Sequence, residues 1–168
     1  MNHMQQQSRS NNIEIQCVPE HRSENLYTMV KQLVSKVKYD VSEGDVLHCT
    51  RIAKLDHKSK RPRTIVMMLS SQKIRDTILA ACTKYNKANP RDRLHATHLG
   101  ISCENIVPIF ITEHLLPVNE SLRAVTRKKA KDFNYKYVWV CNGHIFLRKT
   151  EFSERILINN MDKLKNLL

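Results

Sequence analysis

The apolar positions of this chain fall into short runs whose spacing switches between two and the three-to-four of a helix face. Residues 13–18, IEIQCV, alternate weakly and hold enough β-branched residues to predict a strand, which Pro19 stops. Beyond Ser23, taken as an N-cap, Leu26, Met29, Val30, Leu33, Val34 and Val37 recur on one helical face. After a turn at Gly44, Val46 to Ile52 reads as a second strand and Thr64 to Leu69 as a third, with a hairpin loop between them. Ser70 or Ser71 caps the next helix, whose inner face is Ile74, Ile78, Leu79 and Cys82. A looser stretch, residues 89–107, leads to a short strand over Ile109 to Thr112. The order is βαββαβ, the split βαβ arrangement.

The remainder predicts a smaller unit. Pro117 and Asn119 open a helix through Phe133, with Leu122, Val125 and Phe133 turned inward and Arg123, Arg127 and Lys131 in line at i, i+4, i+8. In YVWVCNGHIFLRK, Asn142-Gly143 between two β-rich runs signals a type I′ hairpin. That register pairs Cys141 with His144, Trp139 with Phe146 and Tyr137 with Arg148 on one face, leaving Val138, Val140, Ile145 and Leu147 for the core. Arg155 to Ile158 is a candidate further strand, and Met161 to Leu167 a short amphipathic helix. The fold class expected is α+β: a ferredoxin-like βαββαβ domain over residues 12–113, an atypical RNA-recognition-motif-like one, followed by a small mixed α/β domain over 114–168. Residues 1–11, mostly polar, are expected to be disordered.

Charge changes this picture more than length does. The 168 residues carry 28 Lys and Arg against 16 Asp and Glu, a formal net charge of +12, which points to a polyanionic partner, nucleic acid before an anionic membrane surface. The excess is segregated: residues 51–93 hold twelve bases and three acids, and residues 123–149 hold eight bases and one acid. Two basic blocks of this kind favour a binding surface over a merely solvated one. No run approaches the length of a membrane span, and the polar opening has no secretory h-region, so a cytoplasmic or nuclear location is expected. Five cysteines at scattered spacings fit a reducing compartment.

The chemistry of catalysis is missing from the pattern. The three glycines, Gly44, Gly100 and Gly143, are isolated, so no glycine-rich loop can cradle a phosphate, and no local signature marks a nucleophile with its base. The expectation is a protein that is not an enzyme and needs no cofactor. Cys17 with His21, and His95 with His98 and Cys103, invite a zinc reading, but no ligand set is completed, so no metal site is assigned. RNA-recognition-motif sheets stack bases on aromatics of strands one and three, and neither IEIQCV nor TIVMML carries one. If this sheet meets RNA, affinity has to come from Lys and Arg at its rim.

Three strings carry a family likeness. NIEIQCVPEHRSENL, HCTRIAKLDHKSKRPRTIVMMLSSQKIRDTILAA and ITEHLLPVNESLRAVTRKKAKDFNYKYVWVCNGHIFLRK resemble, over roughly residues 12–167, the domain shared by insect retroelement first-open-reading-frame proteins and the C-terminal region of baculovirus few-polyhedra (FP) proteins. More distantly they are similar to the RNA-binding part of the first-frame protein of LINE retrotransposons. The resemblance implies a non-sequence-specific single-stranded RNA binder with nucleic-acid chaperone activity, its RNA lying between the two domains. It places Arg61 and Arg63 at the basic pair entering the third strand, and Arg123, Lys128 and Arg148 at matching basic positions of the second unit. Cys17 stands where relatives often have Gly. Residues 1–12 hold no heptads, so the upstream coiled coil of that family is absent, the chain is expected to be a fragment, and self-association through such a segment would lie outside it.

The candidate nucleic-acid contacts are therefore Arg51, Lys58, Lys60, Arg61 and Arg63 from the first block, and Arg123, Arg127, Lys128, Lys131 and Arg148 from the second. Tyr137 and Trp139 are candidates for base stacking beside Arg148, with ordinary aromatic burial as their other reading. The expected partner is single-stranded RNA, with DNA left open. The alternative is a protein-interaction or virion-assembly and trafficking module of the few-polyhedra type, whose basic blocks meet acidic protein surfaces.

Overall fold

Among residues 2–167, which this computed structural model describes, seven strands form two antiparallel sheets with helices beside them, an α+β architecture. In chain order the elements are α1 (Asn2–Gln7), β1 (Asn12–Gln16), α2 (Leu26–Lys36), β2 (Val46–Arg51), β3 (Ile65–Leu69) and α3 (Gln72–Ala88). A 3₁₀ turn (Ala96–Leu99), β4 (Phe110–Glu113), α4 (Pro117–Asp132), β5 (Tyr137–Cys141), β6 (His144–Arg148), β7 (Ile156–Ile158) and α5 (Met161–Lys165) follow. The chain divides into two compact units, one of Asn11–His114, the other of the stretch up to Ser10 together with the chain from Leu115.

In the first unit the strands lie in the order β2-β3-β1-β4. Register places Ile13 opposite Met67 and Glu113, and Ile15 opposite Ile65 and Ile111, so these side chains share one face of the sheet. Ile13, Ile15, Ile65, Met67 and Leu69 bury that face against Met29, Val30, Leu33 and Val34 of α2 and Ile78 and Cys82 of α3. The apolar stripe of α2 is the predicted one, but its cap is Asn25, whose side chain accepts from the Thr28 N–H, rather than Ser23. Ser71 caps α3 by accepting from the Ile74 N–H. One α3 residue escapes an apolar template: Arg75 is buried, its Nη1 3.0 Å from Glu113 Oε1 and its Nη2 2.7 Å from Asp76 Oδ1.

Cys17, included in the predicted first strand, does not continue β1. It lies just past the strand with φ +67°, in the left-handed region where a Cβ is penalised. A glycine fits that backbone without the penalty, so Cys17→Gly is expected to raise stability by about 0.5–1 kcal/mol, read as a higher urea midpoint at unchanged slope.

In the second unit the sheet runs β5-β6-β7. Asn142 (φ +51°) and Gly143 (φ +75°) make the two-residue turn, with Cys141 opposite His144, Trp139 opposite Phe146 and Tyr137 opposite Arg148. The other face carries Ile145 and Leu147 into a core with Leu122 of α4, Ile158 of β7 and Leu164 of α5. Pro117 occupies the first turn of α4, where its missing N–H costs nothing. The inward stripe of α4 is Leu122, Thr126 and Ala130; Thr126 is admitted because its hydroxyl donates to Leu122 O at 2.8 Å. Phe133, expected to face inward, is instead exposed just past the end of α4.

The opening residues differ from expectation as well. Where disorder is predicted over 1–11, residues 2–7 are helical, and Gln6 Oε1 accepts from the Leu116 N–H and from Asn119 Nδ2 at the start of α4. Arg9 Nη1 donates to Leu115 O. Order here comes from polar bonds with residues far along the chain, which no apolar periodicity announces.

Candidate nucleic-acid interface

Lys58, Lys60, Arg61 and Arg63 of the first basic block lie in the irregular connection between β2 and β3, whose two strands anchor both ends of the loop. Lys58, Lys60 and Arg61 are exposed, and among the described residues their side-chain charges meet no acid. Arg63 is exposed too, but its backbone and guanidinium both donate to Glu20, 2.7 and 3.2 Å from Oε1. Those hydrogen bonds hold the Glu20 carboxyl below its ordinary range. Arg51 is a correction: its side chain is 3% exposed, with Nε 2.6 Å from Glu24 Oε1. Its other nitrogens donate to Glu24 Oε2 and to the carbonyls of Val18, Pro19 and Arg63. A guanidinium committed on every side ties β2 to the β1–α2 connection and offers nothing to a phosphate.

The sheet face turned away from α2 and α3 is where a recognition motif would stack bases. On it, opposite β1 and β3 positions carry Glu14 beside Val66 and Asn12 beside Met68, and Gln16 lies opposite Phe110. Glu14 is buried, accepts from Gln16 Nε2 at 3.0 Å and lies 3.7 Å from His114 Nε2. An acidic side chain bonded within the sheet at this position offers a base no stacking platform, in keeping with the missing aromatics. Phe110, 55% exposed on β4, is an aromatic outside strands one and three.

The outer face of the second sheet has a different character. Tyr137, Trp139 and Phe146 are all half-buried there, and cations lie against the Tyr137 and Phe146 rings. The Trp139 and Phe146 rings stack at 5.6 Å between centroids with 20° between planes. The Arg148 guanidinium is 5.0 Å from the Tyr137 ring centre and Arg155 is 5.2 Å from that of Phe146, while Lys136 Nζ stands 5.2 Å from Tyr137. Lys136, Tyr137, Val138, Trp139 and Arg148 line an open depression of about 390 Å³. Glu151 Oε1 accepts from two polar groups of this lining, Lys136 Nζ at 2.9 Å and the Tyr137 hydroxyl at 2.7 Å, and these bonds hold its carboxyl below the usual range.

Tyr137, Trp139 and Arg148 are thus brought together, and Phe146 and Arg155 join them. Arg155 escapes a reading by charge because it sits outside the basic block, in a charge-balanced tail. The signal that points to it is the third strand: Phe146 lies opposite Leu157, which sets Arg155 beside the aromatic row. The α4 cations are not part of this group. Arg127, Lys128 and Lys131 are exposed, opposite the buried stripe that packs on the far face of the sheet, and Arg123 is half-buried with Nη1 3.4 Å from Glu120 Oε2.

The histidines noted in the sequence form a hydrogen-bonded hub. Asp92 Oδ1 lies 3.0 Å from His95 Nε2 and 3.6 Å from His98 Nε2, and Tyr85 donates to Asp92 Oδ2 at 3.0 Å. Asp92, His95 and His98 offer polar atoms within 4.8 Å of one another, whereas Cys17, His21 and Cys103 join no such cluster among the described residues. His98 Nδ1 accepts from the His95 N–H, which puts the proton of the neutral ring on Nε2, the atom a metal would need bare. Burial, reinforced by His95 and Lys36 and opposed by Asp92, lowers the His98 pKa. Burial also pushes the thiols of Cys49 to about 11 and Cys82 to about 12, outside the range of reactive cysteines.

Residues 117–168 match the family model described as Baculovirus FP protein domain 2. Over these residues the match bears out the likeness to the FP protein family. It opens on Pro117, the first residue of α4, so FP domain 2 takes in the cations of α4, the hairpin with its aromatic face and the closing helix α5. The β2–β3 loop and the rest of the Asn11–His114 unit lie outside the FP domain 2 match. No curated protein matches the chain.

Proposed function

We propose that this protein with an FP domain 2 binds single-stranded nucleic acid, RNA first, by capturing phosphates with its exposed cations and stacking bases on the β5–β6 face. The observation that carries this reading is the row of half-buried Tyr137, Trp139 and Phe146, with Arg148 and Arg155 lying against two of the rings. Aromatics presented with cations suit single strands, because every base has a π face and every linkage a negative charge. Lys58, Lys60 and Arg61 in one unit, and Arg127, Lys128 and Lys131 in the other, supply further charges that no acid among the described residues neutralises. Neither feature by itself reads sequence, so capture is expected to tolerate most sequences, as a strand-annealing chaperone of retroelement or viral origin requires.

Reversing Lys58, Lys60, Arg61, Arg127, Lys128 and Lys131 to Glu is expected to weaken single-stranded RNA binding at least about 100-fold at roughly 0.1 M salt, while the thermal midpoint moves little. Fluorescence anisotropy with a labelled RNA of about 20 nucleotides checks it. Unchanged affinity would overturn the proposal and favour a module whose basic blocks meet acidic protein surfaces.

A further inference from the structure

Glu151 is an acid in the middle of a cationic, aromatic surface, which a purely phosphate-binding face would avoid. Its placement is specific. Both groups that donate to it, Lys136 and Tyr137, line the depression, and both bonds fall on Oε1. Its Oε2 accepts no bond among the described residues, and the side chain is 59% exposed. One carboxylate oxygen is therefore fixed by two donors from the lining, while the other accepts nothing among the described residues. Tyr137 and Trp139, two apart on β5, rise from one face of the sheet and both line the depression, so a base entering it meets aromatic surface. A volume of about 390 Å³ admits a purine.

Resting on the nucleic-acid reading above, we infer that this depression seats one nucleobase and that Glu151 makes the seat prefer guanine. The preference follows from base edges. Guanine presents N1–H and its 2-amino group side by side, two adjacent donors to a carboxylate. Adenine and cytosine pair one amino donor with an acceptor nitrogen, and uracil flanks its single N–H with two carbonyl oxygens that oppose the carboxylate. Stacking adds a smaller term in the same direction, since a purine covers more of the Trp139 and Tyr137 rings than a pyrimidine. Arg148 and Lys136 neutralise the phosphate that arrives with the base. Binding of a long strand remains broadly sequence-tolerant, with one position of the bound strand read.

Trp139 is the chain's sole tryptophan, so its fluorescence reports on this depression alone. The test titrates the protein with the tetranucleotides UUGU, UUIU and UUUU and follows Trp139 quenching, beside Glu151→Gln and Glu151→Ala. Inosine keeps N1–H and lacks the 2-amino group. The expected result is that UUGU binds about five-fold tighter than UUIU, with UUUU weakest, and that both variants bring UUGU and UUIU to the same affinity. Equal affinity of the unaltered protein for UUGU and UUIU, with quenching that weakens in salt, would overturn the guanine seat and leave the nucleic-acid reading standing. Discrimination that survives in both variants would overturn the role of Glu151. No quenching by any of the three, together with no anisotropy change on the longer labelled RNA, would overturn both readings.

Discussion

Glu24→Ala is expected to cost the Asn11–His114 unit about 3–5 kcal/mol, the loss typical of stranding one member of a buried ion pair. Arg51 cannot turn outward to recover water, because its nitrogens also serve the carbonyls of Val18, Pro19 and Arg63. Removing the acid leaves a charge in place with only neutral acceptors. Urea denaturation gives the number, and a loss under about 1 kcal/mol would mean that the pair behaves as a surface contact. A pH series adds a signature. The hydrogen bond from Arg51 depresses the Glu24 pKa, so the stabilisation is complete above the unfolded-state value, near 4.5, and is lost as pH falls through the lower folded value. Glu24→Ala is expected to abolish that part of the acid sensitivity.

The second large effect concerns binding. Trp139→Ala removes the broadest ring of the outer face and leaves Phe146 without its stacking partner. Loss of a base-stacking aromatic costs about 1–3 kcal/mol, so RNA affinity is expected to fall roughly 5- to 150-fold. Trp139→Phe, which keeps a ring, should recover most of it. Duplex DNA, whose bases are already stacked, should bind the unaltered protein and Trp139→Ala almost equally through phosphates. If Trp139→Ala bound single strands as well as the unaltered protein, the aromatic row would be packing and the proposed stacking would be excluded.

How far the sequence reveals these features depends on how local the physics is. The β5–β6 register is fixed by Asn142-Gly143, because a type I′ turn leaves one way to pair the flanking residues, and Tyr137, Trp139 and Arg148 share a face for that reason alone. The α2 stripe and the Ser71 cap are equally local. Arg51 shows the opposite case. Its position in a basic block suggests a phosphate contact, but its role depends on Glu24 and on carbonyls of a distant segment that only the fold brings near. Arg75 and Glu113 meet for the same reason, one on a helix and one on an edge strand. Gln6 at the start of α4 is more remote still, a hydrogen bond spanning 110 positions. Charge is legible in the chain, while the division between cations that bind inward and cations left free belongs to tertiary structure.

Lys58, Lys60 and Arg61 remain on the free side of that division, as do Arg127, Lys128 and Lys131. The claim that they grip phosphates is tested most directly by measuring affinity for the same labelled single-stranded RNA by anisotropy from about 0.05 to 0.3 M salt. If about five phosphates are neutralised, log affinity should fall against log salt with a slope of roughly −3.5. A flat response would contradict the proposal at its centre.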